Sequence, residues 1–266
     1  MFHGDCLDIM PTLADKSVDL FICDLPYGCL NSSRKKQPNL VRSDSGKPSP
    51  QIDRWVMGCS WDIKIDLDKF WQQVKRLAKD DHTPVIMFCT TKFGNELINS
   101  NPSWFRYDLV WSKTNGVGFL SANKQPLRSH EMMYVFAKKG AYYKRVDEKV
   151  EGAKEWKQFG KVESSGVYGL VRKKPVIREV GTITSKEGVR CVKSVIDVQN
   201  KREKGKHPTQ KPAELYEWLI ERYSKEGDTV LDPTAGSFTC YKQALKMNRK
   251  AIGIELNKEF YDKANT

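Results

Sequence analysis

Asp24-Leu25-Pro26-Tyr27 follows the mostly apolar run Val18-Asp19-Leu20-Phe21-Ile22-Cys23. β-Prone residues that end in a carboxylate, then a proline, then an aromatic describe a buried parallel strand with a rigid turn at its end. Such a strand delivers Asp24 and an exposed Tyr27 to the carboxyl edge of a sheet, where open α/β sheets bind their ligands. The chemistry on offer suits a planar base carrying an exocyclic amine. The Asp24 carboxylate and a backbone carbonyl of the turn can accept the two amine hydrogens, while Tyr27 stacks on the base. An ordinary strand-to-loop turn would use the same four residues.

A second cluster lies near the C-terminus. The strand Thr229-Val230-Leu231-Asp232, the loop Pro233-Thr234-Ala235-Gly236-Ser237, a helix over 238–247 and the strand Ala251-Ile252-Gly253-Ile254-Glu255 form a βαβ nucleotide-binding pattern. Its small residues let the backbone approach a ligand, and Glu255, 23 positions after Asp232, can accept from ribose hydroxyls. NAD is one candidate. The loop has a single glycine and no Gly-x-Gly-x-x-Gly, which favours a ligand without phosphates. Upstream, His207-Pro208-Thr209-Gln210-Lys211-Pro212 is a loop fixed by two prolines before a helix, and Lys211 offers a cation to a carboxylate.

Asp24-Leu25-Pro26-Tyr27 resembles the Asp/Asn/Ser-Pro-Pro-Tyr signature of S-adenosylmethionine-dependent DNA amino-methyltransferases. His207 to Pro212, a helix, then Asp232-Pro233-Thr234-Ala235-Gly236-Ser237 resembles the cofactor-binding half of the β class of that family. Gly4-Asp5-Cys6, Lys16-Ser17-Val18-Asp19-Leu20 and Gln125-Pro126-Leu127-Arg128-Ser129-His130-Glu131 are similar to it as well. In that class the catalytic half precedes the cofactor half with target recognition between them, a circularly permuted order that this chain shares. The resemblance covers residues 1–143 and 207–266. It implies a site-specific DNA methyltransferase that acts on the exocyclic amine of a flipped adenine and belongs with restriction-modification systems. Asp24, Pro26 and Tyr27 would handle the base. Asp232 and Gly236 would line the S-adenosylmethionine site, with Thr209 and Lys211 near the methionine moiety, Glu255 on the ribose and Asp5 near the adenine ring.

Asp at position 24 is a family tendency toward adenine, so cytosine-N4 methylation is the close alternative. The family commonly has Asp-Pro-Phe-x-Gly-Ser-Gly. Here Thr234 replaces the aromatic, and Phe238 puts a bulky residue where close backbone approach is usual. Those departures raise a rival of another class, a DNA-binding relative with weakened or lost turnover. An RNA methyltransferase is a third reading. Leu25 replaces the usual first proline, but its carbonyl is kept. No Pro-Cys dipeptide occurs, which argues against the covalent thiolate route to C5-methylcytosine.

The positioning elements follow from periodicity. Leu67, Phe70, Trp71, Val74, Leu77 and Ala78 share one helical face, with Asp66 as N-cap. Val85-Ile86-Met87-Phe88-Cys89 reads as a buried strand and Lys92 to Ser100 as a short helix. Tyr107 to Trp111 and Glu131 to Ala137 read as strands joined without a helix, hence an antiparallel pair at the sheet edge. Pro212 to Tyr223 is an amphipathic helix with Leu215, Trp218, Leu219 and Tyr223 inward, and Lys258 begins a last one. The expected fold is therefore α/β: a Rossmann-like class I methyltransferase fold with a mainly parallel seven-stranded sheet and an antiparallel edge strand.

At 266 residues the chain can bury a sizeable core, and its formal charge of +12 is localised. Residues 29–60 hold six Lys/Arg against two Asp/Glu, and residues 144–206 hold seventeen against nine, so the rest is balanced. A neutral body with two basic segments suits a polyanion such as double-stranded DNA. Residues 29–60 read as a mobile basic loop within the catalytic domain, and 144–206 as an inserted target-recognition region, mainly β or irregular. The candidate DNA contacts are Arg34, Lys35 and Lys36 in the loop, and Arg172, Lys173, Lys174, Arg178 and Arg190 in the insertion, mostly to phosphates. Seven cysteines without a Cys-x-x-Cys pair and four scattered histidines point to no metal site and a reducing cytoplasm. No run is long and apolar enough to suggest a membrane span or signal peptide. The resemblance adds a homodimer as a partner expectation.

Overall fold

The computed structural model describes residues 1–28, 63–158, 161–163, 177–179, 183–185, 187–199 and 210–265. They form two units, Met1–Lys144 with Ser194–Thr266, and Arg145–Lys193. The first unit begins with β1 (Phe2–His3), α1 (Cys6–Ile9), β2 (Leu20–Cys23), α2 (Leu67–Leu77) and β3 (Val85–Cys89). It continues through α3 (Thr91–Ser100), β4 (Phe105–Val117) and β5 (Arg128–Phe136). The second unit carries β6 (Glu148–Lys149), β7 (Trp156–Gln158), β8 (Lys161–Glu163), β9 (Ile177–Glu179), β10 (Ile183–Ser185) and β11 (Val189–Arg190). The first unit resumes with β12 (Val195–Asp197), α4 (Ala213–Tyr223), β13 (Thr229–Asp232), α5 (Thr239–Lys246), β14 (Lys250–Glu255) and α6 (Lys258–Asn265).

One sheet organises the first unit, in the order β1-β14-β13-β2-β3-β5-β4-β12. Only β5 runs antiparallel to its neighbours. The sheet has eight strands rather than seven, and β5 lies inside it rather than at the edge. β5 is interior because β4 pairs along its outer side, and β12 adds the outermost strand: Val195, Ile196 and Asp197 pair in parallel with Val110, Trp111 and Ser112 and cap β4. Residues 194–198, expected within the insertion, therefore belong to the sheet. The strand order reverses between β13 and β2, where Val230 pairs with Leu20 and Leu231 with Phe21. That switch point sets Asp24 and Asp232 at the ends of adjacent parallel strands.

Both faces of the central strands are covered, as a mainly parallel sheet requires. Phe21, Cys23, Val85, Met87 and Cys89 pack with Phe70, Trp71, Val74 and Leu77 of α2 and Phe93 and Leu97 of α3. The alternate residues Leu20, Ile22, Ile86 and Phe88 pack with Leu215, Tyr216, Leu219, Ile220 and Tyr223 of α4. Tyr216 and Ile220 take inward places not expected from the sequence, and Trp218 is half-buried beneath the Arg222 guanidinium at 4.4 Å. Asp66 caps α2 by accepting from the amides of Asp68 and Lys69, both at 3.1 Å. Pro212 sits at the N-cap of α4, one position before the helix.

Phe238 precedes α5 with φ +56°, a left-handed conformation that costs a non-glycine residue about 1 kcal/mol. Its ring is fully buried against Tyr241 and Tyr261, each at 6.0 Å between centroids. Gly253 of β14 makes the room. A Cβ there would lie 2.8 Å from Phe238 Cδ1 and 2.9 Å from Cε1. Phe238 thus adopts a backbone shape that suits glycine and sends its bulk into the core. Gly253→Ala is expected to destabilise the fold by about 1–3 kcal/mol through overpacking, and Gly253→Ala with Phe238→Leu by less. Urea unfolding of both variants checks this, and equal losses would show that the ring is not what fills the space.

In the second unit β6 pairs with β11, β7 with β10 and β8 with β9, all antiparallel. The pairs nest, so the chain runs out and returns along itself as a β ribbon. No helix among the described residues is long and apolar enough to cross a membrane.

Candidate active site

Asp24 leaves the end of β2 with both carboxylate oxygens engaged. Tyr27 Oη donates to Oδ1 at 2.8 Å, and Lys211 Nζ donates to Oδ2 at 2.7 Å. Burial, and after it the Asp24 charge, push the Tyr27 phenol well up, so the hydroxyl stays a donor. The Tyr27 ring is half-buried against Phe93 at 5.2 Å between centroids, not fully exposed as expected. Leu25 is buried in the core beneath the turn.

Lys211 is the connecting group. Only 6% of its side chain is exposed, against 23% of Asp24. Its ammonium also lies 3.3 Å from Glu131 Oε2 and 5.0 Å from the centre of the Phe88 ring. At 3.3 Å the Glu131 contact is an ion pair rather than an aligned hydrogen bond, since Oε2 has no hydrogen-bond partner among the described residues. Glu131 Oε1 accepts from Lys113 Nζ, which in turn stands 4.7 Å over the Trp111 ring. Burial would lower the Lys211 pKa, yet Asp24 and Glu131 together hold it above its ordinary value. Burial would likewise raise Glu131, but Lys211 and Lys113 hold it below the usual carboxylate range. Two carboxylates and two ammonium groups therefore alternate along this line of contacts.

Glu131 and Lys113 were not singled out from the sequence, although Glu131 closes the family-like segment from Gln125. They meet because Trp111 and Glu131 are register partners on β4 and β5, placing Lys113 two residues past the pair and on the same face.

Across the switch point, Asp232 is 4% exposed and accepts from the Thr234 amide at 3.1 Å. Burial raises its carboxyl to about 8. Glu255, at the end of β14, accepts from the Gly236 and Asn257 amides at 2.7 Å each. Burial raises it too, against those amides. Asp5 follows β1, is exposed, and caps α1 by accepting from Leu7 N at 2.8 Å. Gly4 N donates to the Glu255 carbonyl at 2.9 Å, so Asp5, Glu255, Gly236 and Asp232 gather along one edge.

Arg34, Lys35, Lys36, Arg172, Lys173, Lys174 and Thr209 lie outside the described residues. Arg178 falls on β9. Arg190 Nη1 donates to the carbonyls of Lys154 and Val189, both at 2.8 Å, which holds it against the β ribbon.

A profile of the N6/N4 DNA methylase family matches residues 18–266. The chain belongs to this family of DNA amino-methyltransferases. It is 27% identical over 273 residues to the type II methyltransferase M.BglII of Bacillus subtilis, covering 98% of this chain and 66% of that protein. To M.HinfI of Haemophilus influenzae it is 25% identical over 275 residues, covering 99% and 66%. The chain thus spans just under two thirds of the length of these two relatives. Among solved structures it is similar to the M1.HpyAVI–SAM complex, at 19% identity and TM-score 0.56, covering 99% of this chain and 96% of that one. It is also similar to PvuII DNA methyltransferase (cytosine-N4-specific), at 15% identity and TM-score 0.62, covering 100% and 84%. These two likenesses concern the fold.

DNA amino-methyltransferases of this family use S-adenosylmethionine, and the edge fits that molecule. Among the described residues it has carboxyl groups for a cationic ligand and no cluster of cations for a pyrophosphate. The Thr234 hydroxyl, two residues after Asp232, and the Gln210 carboxamide oxygen, next to Lys211, are buried without a hydrogen-bond partner among the described residues, as ligand-facing groups would be.

Proposed function

We propose that this DNA amino-methyltransferase transfers a methyl group to N6 of an adenine swung out of duplex DNA. The observation that carries the reading is Asp24. It is an acceptor held by Tyr27 and Lys211 at the end of β2, one strand from Asp232, with part of its side chain still open.

An exocyclic amine is a weak nucleophile because its lone pair is delocalised into the ring. Asp24 and a carbonyl of the Leu25-Pro26 turn accept the two amine hydrogens, which holds the nitrogen and favours its tetrahedral form as positive charge develops. S-adenosylmethionine supplies the electrophilic methyl on a sulfonium. Pro26 fixes the turn. Tyr27 has two tasks, orienting Asp24 through its hydroxyl and presenting its ring to the base. Lys211 and Glu131 keep Asp24 in one rotamer, so the rate comes chiefly from positioning. Asp232, Gly236 and Glu255 hold the cofactor, with Asp5 near its adenine and Thr209 and Lys211 toward its methionine end. The buried ring of Phe238 favours turnover over the DNA-binding alternative, because its bulk points into the core. The basic segments 29–60 and 145–193 hold the duplex, and the cytoplasm is where this reaction takes place.

Asp24 favours adenine over cytosine. The test is a reaction with mixed-sequence duplex DNA and S-adenosylmethionine, followed by nucleoside digestion and mass spectrometry. N6-methyladenine is expected. N4-methylcytosine would overturn the base assignment, and no methyl transfer together with no cofactor binding would leave a DNA-binding protein.

A further inference from the structure

β5 is antiparallel to both β3 and β4, so β4 runs in the same direction as β2 and β3. The end of β4 therefore rises past the edge that carries Asp24. Lys113, paired with Glu131, marks that level, and Val117 lies four residues further on, roughly 13 Å along an extended strand. The tip beyond it is ordered. Gly118, at φ +93°, starts a turn in which Ser121 N donates to the Gly118 carbonyl at 2.9 Å and Ala122 N to that of Phe119 at 3.0 Å.

This built turn holds two large apolar side chains in the open. Phe119 is 80% exposed and Leu120 88%, with Val117 and Leu127 half-exposed beside them. From Leu109 to His130 the sequence has no acidic residue, while Lys124 and Arg128 flank the apolar pair. An apolar tip framed by cations fits a polyanion that also offers apolar faces between stacked bases. A second copy of the chain, at +12, is a poorer match for a basic tip. Apolar side chains that enter DNA do so as wedges between base steps, and removing a base from the stack costs a few kcal/mol that a filled gap partly offsets.

We infer that Phe119 and Leu120 enter the base stack of the duplex next to the position the target base leaves. This rests on the proposed base-flipping reaction, and its surface is separate from the Asp24 and Asp232 edge. The wedge lowers the cost of extrusion and takes no part in methyl transfer.

Two measurements with the full chain and its Phe119→Ser/Leu120→Ser variant test it. In the first, binding of a mixed-sequence duplex is compared with binding of the same duplex carrying one abasic position. Wild type is expected to prefer the abasic duplex and the variant to lose that preference. Equal binding by wild type overturns the wedge. In the second, methylation is followed on a duplex containing the sequence that wild type modifies, with the target base either paired or mismatched. The variant is expected to lose about tenfold or more in kcat/KM on the paired target and much less on the mismatched one, where extrusion is cheap. Equal losses on both, or no loss, overturn the inference. A change from dimer to monomer by light scattering also overturns it, since the tip would then be a subunit contact. An abasic preference that depends on Phe119 and Leu120, in a chain that methylates nothing, would keep the wedge and sink the methyl-transfer reading.

Discussion

Asp24→Ala is expected to lower the single-turnover rate of methyl transfer by about a thousandfold, the scale of losing a preorganised electrostatic contact together with the positioning it provides. Cofactor affinity should change by no more than about threefold, because Asp232, Gly236 and Glu255 stand on other strands and keep their own hydrogen bonds. The fold should survive. Lys211 keeps Glu131 as a partner after the change, and Tyr27 loses a single bond at a partly open position. Rapid-quench methylation and calorimetric titration separate these effects. An intact rate would remove Asp24 from the chemistry. A rate that falls only because S-adenosylmethionine no longer binds would move Asp24 into the cofactor site.

The parts of this site that are local in sequence are legible without a structure. A β-prone run that ends in Asp24 and Pro26 can only finish at a strand end, and its apolar composition buries it on both faces. The same holds for Asp232 and Glu255, whose spacing across one helix fixes them on neighbouring strands. The charge chain from Asp24 to Lys113 is not legible, because its members come from four separate segments. Lys211 lies 187 residues after Asp24, and Glu131 lies on a strand whose antiparallel setting inside the sheet depends on its pairing with both β3 and β4. Periodicity reports which face a residue takes, not which distant charge it meets. Phe238 teaches the same lesson. Its bulk looks obstructive along the sequence, and the space that accepts it is made by Gly253, 15 positions later on another element.

Lys211→Met should have the largest effect on stability. The ammonium it removes is almost fully buried and lies between two carboxylates. Deleting one partner of a buried, hydrogen-bonded ion pair costs about 3–5 kcal/mol, because the charge left behind keeps its desolvation penalty. Two carboxylates would then face each other with Lys113, among the described residues, left to balance them. The pH dependence carries the diagnosis. In the wild type, Glu131 is held below its ordinary 4.5, so it contributes stability at pH above that value and loses it as pH falls through its folded pKa. In Lys211→Met the opposition reverses: low pH neutralises the uncompensated carboxyls, and rising pH charges them in a dry site. The stability gap between wild type and variant should therefore widen as pH rises from about 4 to 7 and narrow as it falls. Urea unfolding across that range reads the gap directly. A pH-independent gap would mean that Lys211 contributes packing over Phe88 and not charge, in which case Glu131→Gln should leave the rate of methyl transfer unchanged. Where the gap does follow pH, Glu131→Gln should slow transfer with little change in DNA affinity, since Lys211 would be free to drift from Asp24.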